Sequence, residues 1–380
     1  MIANPTTEET ELINAAVSWL QDRLPSKWTI KRSSRSDLSS ERNSTAFADT
    51  AIDITTPTNF ITIAIEVRRS FAPRDAELLL SGIARTVRNL SPQIPILVIA
   101  PWLSARSQEL LRAQGINYFD LTGNVSIQLE YPTLFISTQG ATHDPEPLAR
   151  GAARVRGPKA ARLIRLLVDV RPPYGVTEIA KAIGLAPGYV SRLLDTLNSE
   201  ALIERSRSGH VESIDIAALL RRWAESYDLL NSNDASMFVA PMGPENVIGQ
   251  LSCIPDETQV AVTGSFAAIR WAPVSAPTLL AAFCSDVDNT ARALGLIPAD
   301  RGANVILLRP FDPVVWERVT QIDIVKYAAP SQVVVDCLTG NGRMPAEGSA
   351  LIDWMLRNEA QWRTASITQL RNRNIAKSNE

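Results

Sequence analysis

Apolar and polar positions alternate in two rhythms over residues 1–145. Leu12 to Leu24 carries apolar residues at helical spacing, whereas Ala51 to Ile54 and Phe60 to Val67 have the character of strands, joined by a turn over Thr55 to Asn59. The pattern then predicts a helix over Asp75 to Leu90, a continuous apolar strand over Ile94 to Ala100 and a helix over Ser104 to Gln114. Strands over Tyr118 to Leu129 and Leu134 to Thr138 follow. Helices interleaved with strands predict an α/β domain. Gly140 to Gly157 is rich in Gly, Pro and charge and reads as a linker. A second break, Asn231 to Pro244, opens another α/β region with strands at Gln259 to Thr263, Leu279 to Cys284 and Ala303 to Leu308. Three domains are expected, at 1–145, 146–232 and 233–380.

The middle segment has a different character. Pro158 to Val170 is expected to be a helix, and Val176 to Leu197 has the chemistry of two short helices packed at a steep angle. Thr177 is placed to cap the first, Ile179, Ala182 and Ile183 to turn inward, and Ala180 is small where the second must approach. Gly184 permits the turn, and Pro187 stands where a first helical turn needs no N–H. Val190, Leu193, Leu194 and Leu197 form the buried stripe of the second helix, leaving Gly188, Tyr189, Ser191, Arg192 and Asp195 on its free face. Ala201 to Arg205, a turn over Ser206 to Gly209, and His210 to Ile214 read as a β-hairpin whose tip carries Arg205, Arg207 and His210.

Charge sharpens this picture. The chain is nearly neutral at −2, yet from Arg150 to Arg222 there are 13 Lys and Arg against seven Asp and Glu, while the remainder carries 25 against 33. Arg150, Arg154, Arg156, Lys159, Arg162, Arg165 and Arg171 share a stretch with a single acid, Asp169, a density that suits phosphate neutralisation. With 45% apolar residues the chain can bury real cores, and no apolar run approaches the length of a membrane span. No secretory signal is visible at the start, so the cytoplasm is the expected location. Cys253, Cys284 and Cys337 are too scattered for a disulfide framework or, with only His143 and His210 to join them, a zinc site. No metal and no cofactor is expected.

The Val176 to Ile214 pattern resembles the winged-helix domains of bacterial transcription regulators. The resemblance implies a helix entering the major groove through Gly188, Tyr189, Ser191 and Arg192, with Arg192 the best candidate for a base contact because a guanidinium donates twice to guanine. Tyr189 and Ser191 could contact either base or backbone. Arg154, Arg156, Lys159, Arg205, Arg207 and His210 are assigned to the DNA backbone or minor groove. Pro95 to Pro101 and Gly115 to Asn124, followed by the winged helix, resemble a group related to AbiEi-type antitoxins of abortive-infection systems, which implies a repressor. In that stretch Asp120 and Asn124 read as turn-formers at Gly123.

Two further resemblances concern the flanking domains. Asp53 in one strand and Glu66-Val67-Arg68 in the next resemble the core of restriction-endonuclease-like nucleases, with an arginine where that family has lysine. Asp49 and Glu77 are other acids nearby. Gly264 and Ser265 after a strand, followed by Asp286 and Asp288, resemble a nucleotidyltransferase core, although 21 residues separate Ser265 from Asp286 where that family has a shorter interval. Both are read as degenerate folds that serve sensing or assembly. The expected function is a sequence-specific, double-stranded DNA-binding transcription regulator of α/β plus winged-helix class, a homodimeric repressor rather than an enzyme. The alternatives are a metal-dependent DNase using Asp53, Glu66 and Arg68, and an antitoxin neutralising a toxin partner; a small-molecule or nucleic-acid effector is a further partner to consider.

Overall fold

The computed structural model describes residues 7–33, 50–79, 94–145, 155–251, 254–255 and 257–369. The chain divides into two compact units, residues 1–150 with 199–201 and residues 151–198 with 202–380. Among the described residues no helix is long and apolar enough to cross a membrane.

The first unit contains α1 (Thr7–Gln21), β1 (Thr29–Ser33), β2 (Thr50–Thr55), β3 (Phe60–Val67), α2 (Pro73–Leu79), β4 (Ile96–Ala100), α3 (Ala105–Ala113), β5 (Asn117–Asp120), β6 (Val125–Leu129) and β7 (Leu134–Thr138). Its strands lie in one sheet in sequence order, with β3, β4 and β5 parallel and the remaining pairs antiparallel. Alternation along the strands divides the core in two. Ile52, Ile54, Ile63 and Ile65 face Leu12, Ile13, Ala16 and Leu20 of α1, while Ile96, Val98 and Tyr118 face Ala76 and Leu79 of α2 and Leu111 of α3. This is the expected α/β arrangement, with two differences. β1 carries no apolar rhythm, since four of its five residues, Thr29, Lys31, Arg32 and Ser33, are charged or hydroxylic, and it pairs along the sheet margin. The strand expected over Tyr118 to Leu129 is two, folded back at Asp120. The Asp120 carboxylate accepts from the N–H groups of Leu103, Thr122 and Asn124 at 2.9–3.0 Å, so it builds the turn. Of the helix expected over Asp75 to Leu90, the part beyond Leu79 lies outside the described residues.

The second unit contains α4 (Gly157–Asp169), α5 (Val176–Ile183), α6 (Pro187–Ser199), β8 (Ile203–Arg205), β9 (Val211–Ile214), α7 (Ile216–Ala224), β10 (Asp234–Val239), α8 (Pro244–Gln250), β11 (Val260–Thr263) and α9 (Gly264–Ala268). It continues with β12 (Leu280–Cys284), α10 (Val287–Ala293), β13 (Ile297–Pro298), β14 (Val305–Arg309), β15 (Thr320–Ile322), β16 (Val325–Tyr327), α11 (Pro330–Leu338), α12 (Met344–Arg357) and α13 (Glu359–Trp362). Strands β10 to β16 form a mixed sheet in the order β13-β10-β14-β12-β11-β16-β15. Helices α4 to α7 and the β8–β9 hairpin share one continuous apolar core with this sheet.

Polar contacts reinforce that shared core. Arg165, fully buried on α4, donates to Asp169 at 3.1 Å, to Gln332 of α11 at 3.1 Å and to the carbonyl of Glu317 at 2.9 Å. Gln332 donates to Asp336 at 2.8 Å, and Asp336 also accepts from Tyr227 at 2.7 Å and from Thr263 at 2.5 Å. Burial alone would raise the Asp169 carboxyl, but the guanidinium groups of Arg165 and Arg318 more than offset it and hold it below the ordinary range. For Asp336 burial wins, and despite three donated hydrogen bonds its carboxyl is pushed up to about 6. Arg363 completes the junction by donating to the carbonyls of Leu167, Val168 and Val170 at the end of α4.

Candidate nucleic-acid interface

Three helices and a hairpin carry the surface that the sequence singles out. Helix α4 begins behind Gly157, which adopts a left-handed φ of 79°, and Pro158 occupies its first turn. Helix α5 starts one residue before the expected cap. Gly175 is its N-cap and donates its N–H to the Glu178 carboxylate at 2.8 Å, so Thr177 lies inside the first turn and caps nothing. Gly184 ends α5 at φ 66°, the left-handed conformation that a residue with a Cβ avoids, and its N–H returns to the carbonyl of Ala180. The chain then turns directly into α6 at Pro187. Val190, Leu193, Leu194 and Leu197 are completely buried, as the helical stripe requires. After α6, β8 and β9 pair antiparallel and Tyr174 bridges to Val211, giving a small wing.

The free face of α6 is connected to its neighbours by contacts. Gly188 and Arg192 are exposed, and Tyr189 and Ser191 half-buried. The Lys159 ammonium sits 6.0 Å from the Tyr189 ring centroid, bringing the start of α4 beside the start of α6. Burial raises the Tyr189 phenol above its ordinary range. One turn beyond Arg192, Asp195 receives an ion pair from Arg205 of the wing, and Arg205 also donates to the Gly209 carbonyl at 3.1 Å. Lys159, Tyr189, Arg192, Asp195 and the wing thus form one connected surface. His210 is exposed beside the turn at the wing tip, with Nδ1 3.1 Å from the Ser208 hydroxyl.

The basic residues separate into two groups that the sequence could not distinguish. Arg156, Lys159, Lys181, Arg192 and Arg207 are exposed and have no ion-pair partner among the described residues. Arg221 on α7 is likewise exposed, and Arg222 pairs with Glu225 at 3.2 Å. Three more are turned toward acids of the second unit. Arg162 forms a two-pronged pair with Asp312 at 2.9–3.1 Å, Arg165 pairs with Asp169 in the core, and Arg171 lies 3.9 Å from Glu359. Arg165, with no exposed side chain, is closed to phosphate, whereas Arg162 is held on Asp312 and Arg171 keeps 40% of its side chain exposed beside Glu359. Arg205, assigned to the DNA backbone, is mostly buried and turned onto Asp195. Arg150 and Arg154 lie outside the described residues.

The candidate sites in the flanking regions do not assemble in the expected form. Asp53 stands opposite Thr62 and accepts its hydroxyl at 2.7 Å. Glu66 is four residues further along β3, roughly 13 Å at strand spacing, whereas two carboxylates sharing one Mg²⁺ must each bring an oxygen to about 2.1 Å from it. Glu66 is also buried and paired with Arg68, and Glu77 is exposed on α2. Asp49 lies outside the described residues. The nucleotidyltransferase-like residues are at opposite ends of a strand pair: β11 and β12 run antiparallel with Thr263 opposite Ala281, so Ser265 leaves one end and Asp286 the other. Ser265 donates to Glu347 at 2.5 Å, Asp286 caps α10 by accepting from the Asn289 N–H at 3.0 Å, and Asp288 is exposed. Among the described residues no group of three or more His, Cys, Asp or Glu is placed to hold a metal.

Comparison with known proteins agrees with the geometry of the central module. The family model of the IclR helix-turn-helix domain matches residues 159–207, from the first turn of α4 to the wing tip. This match supports a DNA-binding transcription regulator with a winged helix between α/β regions. No curated protein and no solved structure matches the chain.

Proposed function

We propose that the chain is a sequence-specific, double-stranded DNA-binding repressor that inserts the start of α6 into the major groove and rests its wing on the flanking backbone. The observation that carries this reading is the division of the cations. The exposed ones without an ion-pair partner among the described residues lie on α4, α5, α6, the wing tip and, at Arg221, α7, while Arg162 and Arg165 tie α4 to the C-terminal part of the second unit. Phosphate binding needs cations not already neutralised within the protein. Arg192 has the reach and fork geometry for a guanine edge, and Arg156, Lys159 and Arg207 suit phosphates on either side.

A single recognition helix reads only a short half-site, so the protein acts as a homodimer on a paired site, and occupancy of that site blocks transcription. Selection of bound fragments from genomic DNA, followed by footprinting, tests this directly. The expected result is a recurrent motif with two half-sites spaced by about one helical turn. Recovery of random fragments with no shared motif would refute sequence-specific recognition. A single unrepeated half-site would refute the dimer.

A further inference from the structure

A cavity of about 190 Å³ opens on the sheet of the second unit. On the sheet side it is lined by Met237 of β10, Ile306 of β14 and Leu279 ahead of β12; Met237 and Ile306 are register partners and share a face. On the helix side it is lined by Leu229 and Leu230, from the segment that leaves α7, and by Met344 of α12. The backbone holds this wall in place. Leu229 donates its N–H to the Thr339 hydroxyl at 3.1 Å, and the Met344 side chain packs close over Gly340, where a Cβ would push its sulfur aside. The mouth carries Asp300, Arg301 and Asn341. Asp300 and Arg301 are exposed and, among the described residues, neither has an ion-pair partner.

We infer that this cavity binds a free α-amino acid with an apolar side chain, of the phenylalanine or leucine class. The side chain fills the apolar interior, the carboxylate meets the Arg301 guanidinium and the ammonium meets the Asp300 carboxylate. Size and charge both favour this occupant. An apolar protein cavity of about 150 Å³ accepts benzene, so 190 Å³ holds a benzyl or isobutyl group with its polar head at the mouth. Two adjacent, unpaired charges of opposite sign beside an apolar hole match a zwitterion, whereas a simple acid or amine leaves one of them unanswered. Two methionines in the lining allow the interior to adapt to branched or aromatic groups.

The inference stands on this cavity alone and not on the reading of the DNA interface, so binding is measured on the full chain without DNA. Isothermal titration with L-phenylalanine and L-leucine is expected to give saturable binding at one site per chain. 3-Phenylpropanoate and 2-phenylethylamine, each lacking one head-group charge, are expected to bind about tenfold more weakly or worse, the cost of one charge-assisted hydrogen bond. Arg301→Ala and Asp300→Ala, both at exposed positions that leave the core intact, are expected to weaken the amino acid by a similar factor, and Met237→Trp to block it. Absence of saturable binding by either amino acid would overturn the inference. Equal affinity for the acid or the amine, or affinity unchanged in all three variants, would do the same.

Discussion

Removal of Arg205 separates two roles that the sequence alone cannot tell apart. If Arg205 neutralises a phosphate, Arg205→Ala releases one fewer counterion on binding, and the slope of log K against log salt shrinks in magnitude by about 0.9. The structure instead uses its guanidinium to join the wing to Asp195 of α6 and to the Gly209 carbonyl. The number of phosphates neutralised then stays the same, and the slope is expected to stay within about 0.3 of its starting value. Affinity should still fall. Asp195 is 64% exposed, so the pair itself is worth about 0.2–1 kcal/mol, or up to about fivefold, and its loss also frees a carboxylate toward the phosphates. Adding Asp195→Asn to Arg205→Ala is therefore expected to recover part of the affinity. Arg207→Ala, at the exposed wing tip, serves as the contrast and should lower the slope by about 0.9. Fluorescence anisotropy with a labelled duplex between 50 and 250 mM salt, roughly the range over which such slopes are read, gives both quantities. A drop near 0.9 for Arg205→Ala, equal to that of Arg207→Ala, would show that Arg205 contacts phosphate and would refute the positioning role.

Three further outcomes follow from the same geometry. Arg192→Ala should reduce discrimination between the selected motif and random duplex by about 1–3 kcal/mol while changing random-duplex affinity little, measured by competition binding. Arg165→Ala should destabilise the second unit by about 1–3 kcal/mol in denaturant titration, since it removes the buried donor to Gln332 and to the Glu317 carbonyl while Asp169 keeps its pair with Arg318; an unchanged stability would contradict the account of the buried network. Asp336 carries a carboxyl raised to about 6, so the folded chain holds that proton more tightly than the unfolded one. The stability it contributes is complete below about pH 4 and is lost as pH rises through 6, by about 3 kcal/mol. Asp336→Asn, compared with the unaltered chain in denaturant titrations from pH 4 to 7, should remove that decline; parallel profiles would show that Asp336 titrates normally.

Much of the central module was legible in the sequence because its signals are local. The i, i+3, i+4, i+7 stripe of α6, the left-handed turn at Gly184 and the Ser206 to Gly209 hairpin depend on residues a few positions apart, and the structure places each where the pattern puts it. The cap of α5 was misjudged for a local reason too, since Glu178 reaching back to the Gly175 N–H competes with the hydroxyl of Thr177 for the role of defining the first turn.

What only the tertiary structure decided is the partner of each charge. Along the chain, Arg162, Arg165 and Arg171 look like the same basic stripe as Arg156 and Lys159. In space they meet Asp312, Asp169 with Gln332, and Glu359, and become the fastening between the winged helix and the sheet behind it. The acids Asp53 and Glu66, and the pair Ser265 and Asp286, likewise stand close in sequence pattern yet apart along strand register. Periodicity follows from covalent geometry and is written into short windows of sequence. Electrostatic pairing depends on distances of a few ångströms between residues far apart in the chain, and only packing sets those distances.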